Sequence, residues 1–399
     1  MKGIMVAGFI IGSFALMGIL GDQAMNEASA TSMITMFLCG DVMTGRGIDQ
    51  VLPHPNDPTL YESYMKSAKG YVEIAERING PIPKHVDFAY IWGDALGELE
   101  RRVPDVRIIN LETSITRSDD DWKGKEVLYR MHPENSPLLI TAKIDSCSLA
   151  NNHVLDWGYS GLRETLETLR KVNVKSAGAG LNLKEAERPA VMEVKGKGRV
   201  IVFSFGSTTS GIPLSWAATK EKPGVNLLRG FSERSVQSIR EKVQEVKQPG
   251  DLVVASIHWG GNWGYEVPHE QKEFAHQLID HVGIDVIHGH SSHHVKGIEV
   301  YQNKLILYGC GDFLTDYEGI GGYEYYRGDL GSMYFAGVDS STGKLVSLKM
   351  VPTQMKRFRV NRALEADVLW LRDTLNREGK KFGTRLELDE EGALTLKWR

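Results

Sequence analysis

A layered α/β domain is what the order of segments in this chain predicts, and three observations carry that prediction. After residue 34, apolar runs of strand length alternate with segments of helical periodicity, the pattern that packs a sheet against helices. Several of those apolar runs end abruptly in carboxylate, amide or imidazole side chains, which is where an α/β protein places its binding chemistry. The 399 residues are 42% hydrophobic and 25% charged, ordinary values for a globular chain able to bury a full core.

Each element has its own justification. A strand is expected at 35–39, running into Gly40-Asp41. An insertion follows, opened by the turn-rich run Pro53-His54-Pro55-Asn56-Asp57-Pro58 and continued by a helix over 61–78. Strands at 107–111 and 146–150 end at Glu112 and at Asn151-Asn152-His153. Leu162, Leu166 and Leu169 stand at helical spacing and predict an amphipathic helix over 161–172. Strands at 200–205 and 252–257 come next, the second ending at His258. The apolar segment 283–287 then runs into His288-Gly289-His290-Ser291-Ser292-His293-His294, which holds four of the twelve histidines. The tail, 363–399, pairs an amphipathic helix with an alternating segment at 384–388. No low-complexity linker divides the chain. Residues 34–340 therefore read as one domain, and 341–399 as C-terminal strands and a helix that complete or decorate it.

The first 33 residues differ from the rest. Lys2 precedes an apolar stretch over 4–20, and Ala28-Ser29-Ala30 offers a small-residue cleavage pattern. The expectation is a signal peptide or N-terminal anchor, hence a secreted or membrane-anchored protein. A true start at Met33 or Met36 would make it cytoplasmic instead. The net charge of −4 supplies no overall basic field, so nucleic acid is not an implied partner. Cys39, Cys147 and Cys310 are too few and too scattered for a disulfide framework or a thiolate zinc site, and each lies in or beside an apolar run. Buried small hydrophobes are expected there.

The strand ends together supply Asp41, Glu112, Asn152, His258, His290 and His293. That mixture of oxygen and nitrogen donors suits manganese, iron(II) or zinc and is a poor match for calcium or a thiolate cluster. Two divalent ions about 3.5–4 Å apart, bridged by a carboxylate, would polarise a substrate oxygen and generate hydroxide near neutral pH.

The same fragments carry a resemblance. Gly40-Asp41-Val42-Met43 with Arg46, Ile109-Asn110-Leu111-Glu112-Thr113, Asn152-His153-Val154-Leu155-Asp156, His258-Trp259-Gly260 and Gly289-His290-Ser291-Ser292-His293 occur in the order used by metallophosphatase-fold proteins. With the closing stretch Gly297 to Gly309, they resemble the CapA family, linked to poly-γ-glutamate capsule synthesis, over about residues 34 to 335. The resemblance implies a layered β-sandwich flanked by helices, of the metallophosphatase (calcineurin-like) type. It also implies roles: Asp41 on one ion, Glu112 bridging, Asn152 and His258 on the second, His290 and His293 shared. His153 would act as general acid or charge stabiliser. Arg46 would bind an anionic group or form a salt bridge, and both readings stay open. Asn151, Trp259 and Glu266 are the candidate substrate contacts, with Trp263 beside them in a Gly-rich loop, although loop packing suits at least one tryptophan better. Of His288 and His294, one would orient a ligand and the other would be a solvated loop residue.

Two departures qualify this. Met43 stands where metallophosphatases usually carry a histidine, and Glu112 where they usually carry an aspartate. The expected function is a metal-dependent hydrolase, with metal-hydroxide attack on a phosphate ester or a γ-glutamyl amide, acting on an anionic polymer or phosphate ester. The alternatives are a non-catalytic surface component of a membrane synthase complex and a cytoplasmic metallophosphatase.

Overall fold

In the computed structural model, residues 33–399 are described. The expected leader or anchor, except for Met33, lies outside the described residues. Among the described residues no helix is long and apolar enough to cross a membrane.

Two sheets form the molecule's centre. The first runs, in spatial order, Thr384–Leu388, Leu394–Trp398, Leu345–Lys356, Leu330–Asp339, Met33–Val42, Val106–Leu111, Ser146–Ser148 and Lys175–Ala177. The second runs Leu227–Leu228, Gly198–Ser207, Leu252–His258, Val286–His290, Lys304–Leu307 and Ile298–Tyr301. Strand periodicity of two sorts the side chains into layers. Ile34, Met36 and Leu38 meet Val200, Val202, Val254 and Val286 in a core between the sheets. Phe37, Cys39, Ile109 and Leu111 point the other way, against Leu162, Leu166 and Leu169 of the Gly158–Lys171 helix. Ile201, Phe203, Val253 and Ala255 pack outward against Val236, Ile239 and Val243 of the Glu233–Val246 helix. The layered β-sandwich flanked by helices is thus present. The C-terminal region is woven into it: Leu345–Lys356 pairs antiparallel with Leu330–Asp339, and Leu371 and Leu375 of the Glu365–Gly379 helix join the inter-sheet core.

Some elements depart from expectation. The helix read over 61–78 begins only at Lys69 and ends at Asn79. Glu62 is buried and ion-paired instead of lying on a helix face, and Thr59 bridges Ser67 in extended geometry. All three cysteines are buried and free, as their apolar surroundings suggested.

Candidate metal centre and catalytic cleft

The site lies where the inter-sheet core gives way to polar residues. Along Leu252–His258 the inward positions read Leu252, Val254, Ser256, His258, and along Val286–His290 they read Val286, His288, His290. The Val106–Leu111 strand does the same with Val106, Ile108 and Asn110, and Glu112 follows on the same parity. Simple alternation from Leu38 would turn Asp41 away. A bulge corrects this: Leu38 pairs with Ile108 and Asp41 with Asn110, so two residues of the first strand oppose one of its neighbour. The bulge includes Gly40, where an added Cβ would lie 1.7 Å from the Gly311 carbonyl oxygen.

The donors converge. Asp41, His258 and His290 each offer an atom within 4.8 Å of the others, all three buried, an arrangement able to hold a metal ion. His258 Nε2 lies 3.0 Å from Asn152 Oδ1 and 3.5 Å from Glu112 Oε1. The Nδ1 atoms of His258 and His290 are 2.7 Å apart. Asn110 Nδ2 donates to Asp41 Oδ1 at 2.8 Å and to Glu112 Oε2 at 2.5 Å, but Asp41 Oδ2 has no hydrogen-bond partner. A buried carboxylate oxygen without a partner is costly unless a cation meets it, so the donor set fits a divalent ion. Burial, then the charge of Asp312, pushes the Asp41 carboxyl up to about 7. Burial and Asp41 raise Glu112 as well, while burial holds His258 and His290 well below the usual imidazole range. The imidazoles are therefore neutral and ready to ligate, and protons compete for the site at the carboxylates.

His293 lies apart from the Asp41, His258 and His290 trio. Its Nδ1 sits 3.0 Å and 3.1 Å from the two oxygens of Asp312, a residue that sequence reasoning missed. Asp312 faces Asp41 across parallel strands, so its carboxylate both orients His293 and adds negative charge beside Asp41. The repeated Cys-Gly-Asp at 39–41 and 310–312 was the one signal that could have exposed it.

His153 forms part of a second group. Asp156 Oδ2 approaches its Nδ1 at 2.6 Å, Lys125 Nζ approaches the same nitrogen at 3.0 Å, and Lys125 also pairs with Asp156 Oδ1. Tyr129 stacks on the ring at 3.8 Å. Burial pushes this imidazole down to about 4. Glu112, Asn152, His153, His258, His293, Asp312 and Lys125 all line one cleft of about 720 Å³.

The remaining expected site residues are engaged differently. Arg46 is consumed: its Nε and Nη2 donate to Asp316 at 3.1 and 2.5 Å, and its Nη1 to Glu62 at 2.9 Å, all buried. It forms a salt bridge, but an interior one and not a surface one, and its charge is already matched by two buried carboxylates. Asn151 is fully buried behind the site, where Nδ2 donates to Asn110 Oδ1 and the Leu111 carbonyl, so it braces the metal loops instead of touching substrate. Trp259 is buried too, donating from Nε1 to the Tyr308 carbonyl at 3.0 Å against Phe231. Glu266 does not line the cleft; its carbonyl accepts from Lys296. Trp263 is the tryptophan that lines it, stacked on Tyr323 at 4.2 Å. Neither leftover histidine is solvated. His288 lies between the sheets, 3.1 Å from Ser256 Oγ and 2.7 Å from the Cys39 carbonyl, and His294 is buried against Trp263 and Tyr326.

Comparison with known proteins follows the same line. The profile of the bacterial capsule synthesis protein family PGA_cap matches residues 35–317. A Mycobacterium tuberculosis protein named "Probable polyglutamine synthesis accessory protein" is 48% identical over 360 residues, covering 90% of this chain and 94% of that protein. The "PGA biosynthesis protein CapA" of Bacillus subtilis is 28% identical over 280 residues, covering 69% and 62%. A solved phosphatase structure from Mycoplasma pneumoniae superposes with a TM-score of 0.44 at 12% identity, over 80% of this chain and 93% of that one. The family expected from the ordered motifs is the one matched, and the chain belongs to the PGA_cap family of bacterial capsule synthesis proteins.

Proposed function

We propose that this protein is a divalent-metal-dependent hydrolase serving polyglutamate capsule synthesis, cleaving a phosphate ester or, as the second substrate class, a γ-glutamyl amide. The observation that carries the reading is the unpartnered, buried oxygen of Asp41, a residue clustered with two buried, neutral imidazoles. Asp41, His258 and His290 would hold one ion, with Glu112 and Asn152 completing it. His293, turned by Asp312, and Glu112 would serve a second. When bound, such ions supply Lewis acidity and a nucleophile at neutral pH.

The chain's own residues supply the rest. Asp156 fixes the ring of His153, so that Nδ1 is engaged and the other nitrogen is left for a proton at the leaving group. Tyr129 and Trp263 wall the cleft. Capsule-related action rests on the names of the relatives, and an extracytoplasmic location accords with it. A non-catalytic accessory role in a synthase complex is the second reading, favoured by Met43, whose fully buried side chain offers no imidazole beside Asp41.

The test is metal per chain on the purified protein after manganese or zinc loading, with hydrolysis of aryl phosphodiesters and polyglutamate measured in parallel. His290→Ala is expected to lose metal and turnover together. His153→Ala should keep its metal and lose about 10²–10⁴ in turnover. A protein that binds no metal, with His290→Ala indistinguishable from wild type, refutes the hydrolase reading. Capture of membrane synthase subunits that survives Asp41→Ala would then favour the accessory role.

A further inference from the structure

We infer that Lys125 is the substrate's anion anchor: its ammonium receives a negatively charged oxygen of the substrate beside the metal centre. The inference rests on the hydrolase reading, and it gives to a loop lysine the task the sequence suggested for Arg46, whose charge two buried carboxylates already match.

The local backbone explains how the lysine gets there. Lys125 N–H donates to the Trp122 carbonyl at 3.2 Å, closing a four-residue turn. Gly124 occupies the third position at φ +84°, a conformation that turn requires and that a side chain would strain. The turn itself is tied down, because Trp122 N–H donates to the Asp156 carbonyl at 2.8 Å. The next lysine back, Lys123, points to solvent with 83% of its side chain exposed, whereas Lys125 keeps 20% and lines the cleft.

Valence then leaves Lys125 a donor to spare. Its ammonium carries three N–H bonds, and the side-chain atoms it contacts are Asp156 Oδ1 and, in the cleft wall, His153 Nδ1. His153 Nδ1 cannot both accept from Lys125 and donate to Asp156, and its 2.6 Å approach to Asp156 Oδ2 claims it for the carboxylate. At least one ammonium hydrogen is thus unspent, on a cleft-lining cation in direct contact with His153. Glu112 is close enough for its charge to act on this lysine. Of the other cations lining the cleft, Arg46 is paired with Glu62 and Asp316 and Arg327 with Asp329 and Asp367, while Lys356, at the end of Leu345–Lys356, makes no hydrogen bond or ion pair with His153, Asp156 or a candidate metal ligand. An anionic oxygen is the group this position fits; a phosphoryl oxygen and a glutamyl carboxylate share that chemistry.

The experiment loads the full chain with manganese and titrates it with inorganic phosphate and, separately, with a γ-glutamyl oligomer, alongside metal analysis. Lys125→Met is expected to weaken binding of at least one probe tenfold or more, with metal per chain unchanged. Lys125→Arg should recover part of that loss, and Lys123→Met should match wild type. Loss confined to phosphate identifies a phosphoryl oxygen, and loss confined to the oligomer identifies a carboxylate. Lys125→Met with unchanged affinity for every probe that binds wild type, or failure of both probes to bind metal-loaded wild type, overturns the assignment. Absence of metal from wild type would instead overturn the hydrolase reading beneath it.

Discussion

Arg46 shows how far the chemistry of one residue depends on partners distant in sequence. Its guanidinium joins Glu62, 16 residues away, to Asp316, 270 residues away, and lies over the Tyr71 ring at 3.9 Å. Removing one member of a buried ion network leaves its partners charged and uncompensated, which costs about 3–5 kcal/mol. Arg46→Ala should therefore lower unfolding stability by about that amount in a urea titration, with little selective effect on anion affinity in the protein that remains folded. The opposite pattern, weak anion binding at unchanged stability, would restore the anion-binding role that its position after Asp41 suggests. Nothing near Arg46 in the sequence shows that both carboxylates are reserved for it. Lys125 was silent for a related reason: it lies in a loop without periodicity, and only the turn at Gly124 and the contact with Asp156 give it a role.

Elements were more legible than their details. The strand ends are readable because parallel strands deliver their last residues to one edge, and apolar runs broken by Glu112, His258 and the His288–His294 stretch mark that edge. The bulge at Cys39–Gly40 is not readable, since alternation alone puts Asp41 on the wrong face. The same limit explains the helix expected over 61–78: periodicity cannot reveal that Glu62 lies outside the helix and pairs with Arg46. Gly40 makes the bulge testable. Because an added Cβ would collide with the Gly311 carbonyl, Gly40→Ala should force apart the two strands that carry Asp41 and Asp312. The expected result is about 1–3 kcal/mol of lost stability, together with metal per chain below wild type. A stable variant with full metal content would mean that the bulge does not aim Asp41.

At the scale of the whole molecule, burial places the site at the polar end of a dry sandwich and so decides how pH acts on it. Burial keeps His258 and His290 neutral well below their usual range, while it raises Asp41 to about 7 and Glu112 above its ordinary value. The signs are opposite. A carboxyl raised in the folded state contributes stability that is fully present below about pH 4 and is lost as pH climbs through about 7. The depressed imidazoles, including His153 and His288 at about 4, contribute stability that is lost as pH falls from about 6.5 towards 4. Metal binding separates the two, because an ion displaces protons from the carboxylates and finds the imidazoles of His258 and His290 already free. Affinity for manganese should therefore rise by about tenfold per pH unit near pH 7 for each proton displaced. The gap in Tm between metal-loaded and metal-free protein should widen from pH 6 to pH 8, since a bound ion stabilises by about 2.7 kcal/mol at a hundredfold excess over its Kd. Calorimetry in two buffers of different ionisation enthalpy counts the protons released, and Asp41→Asn should release fewer. A Tm gap that stays constant across that range, with no proton release, would mean that the carboxylates are already ionised before the metal arrives.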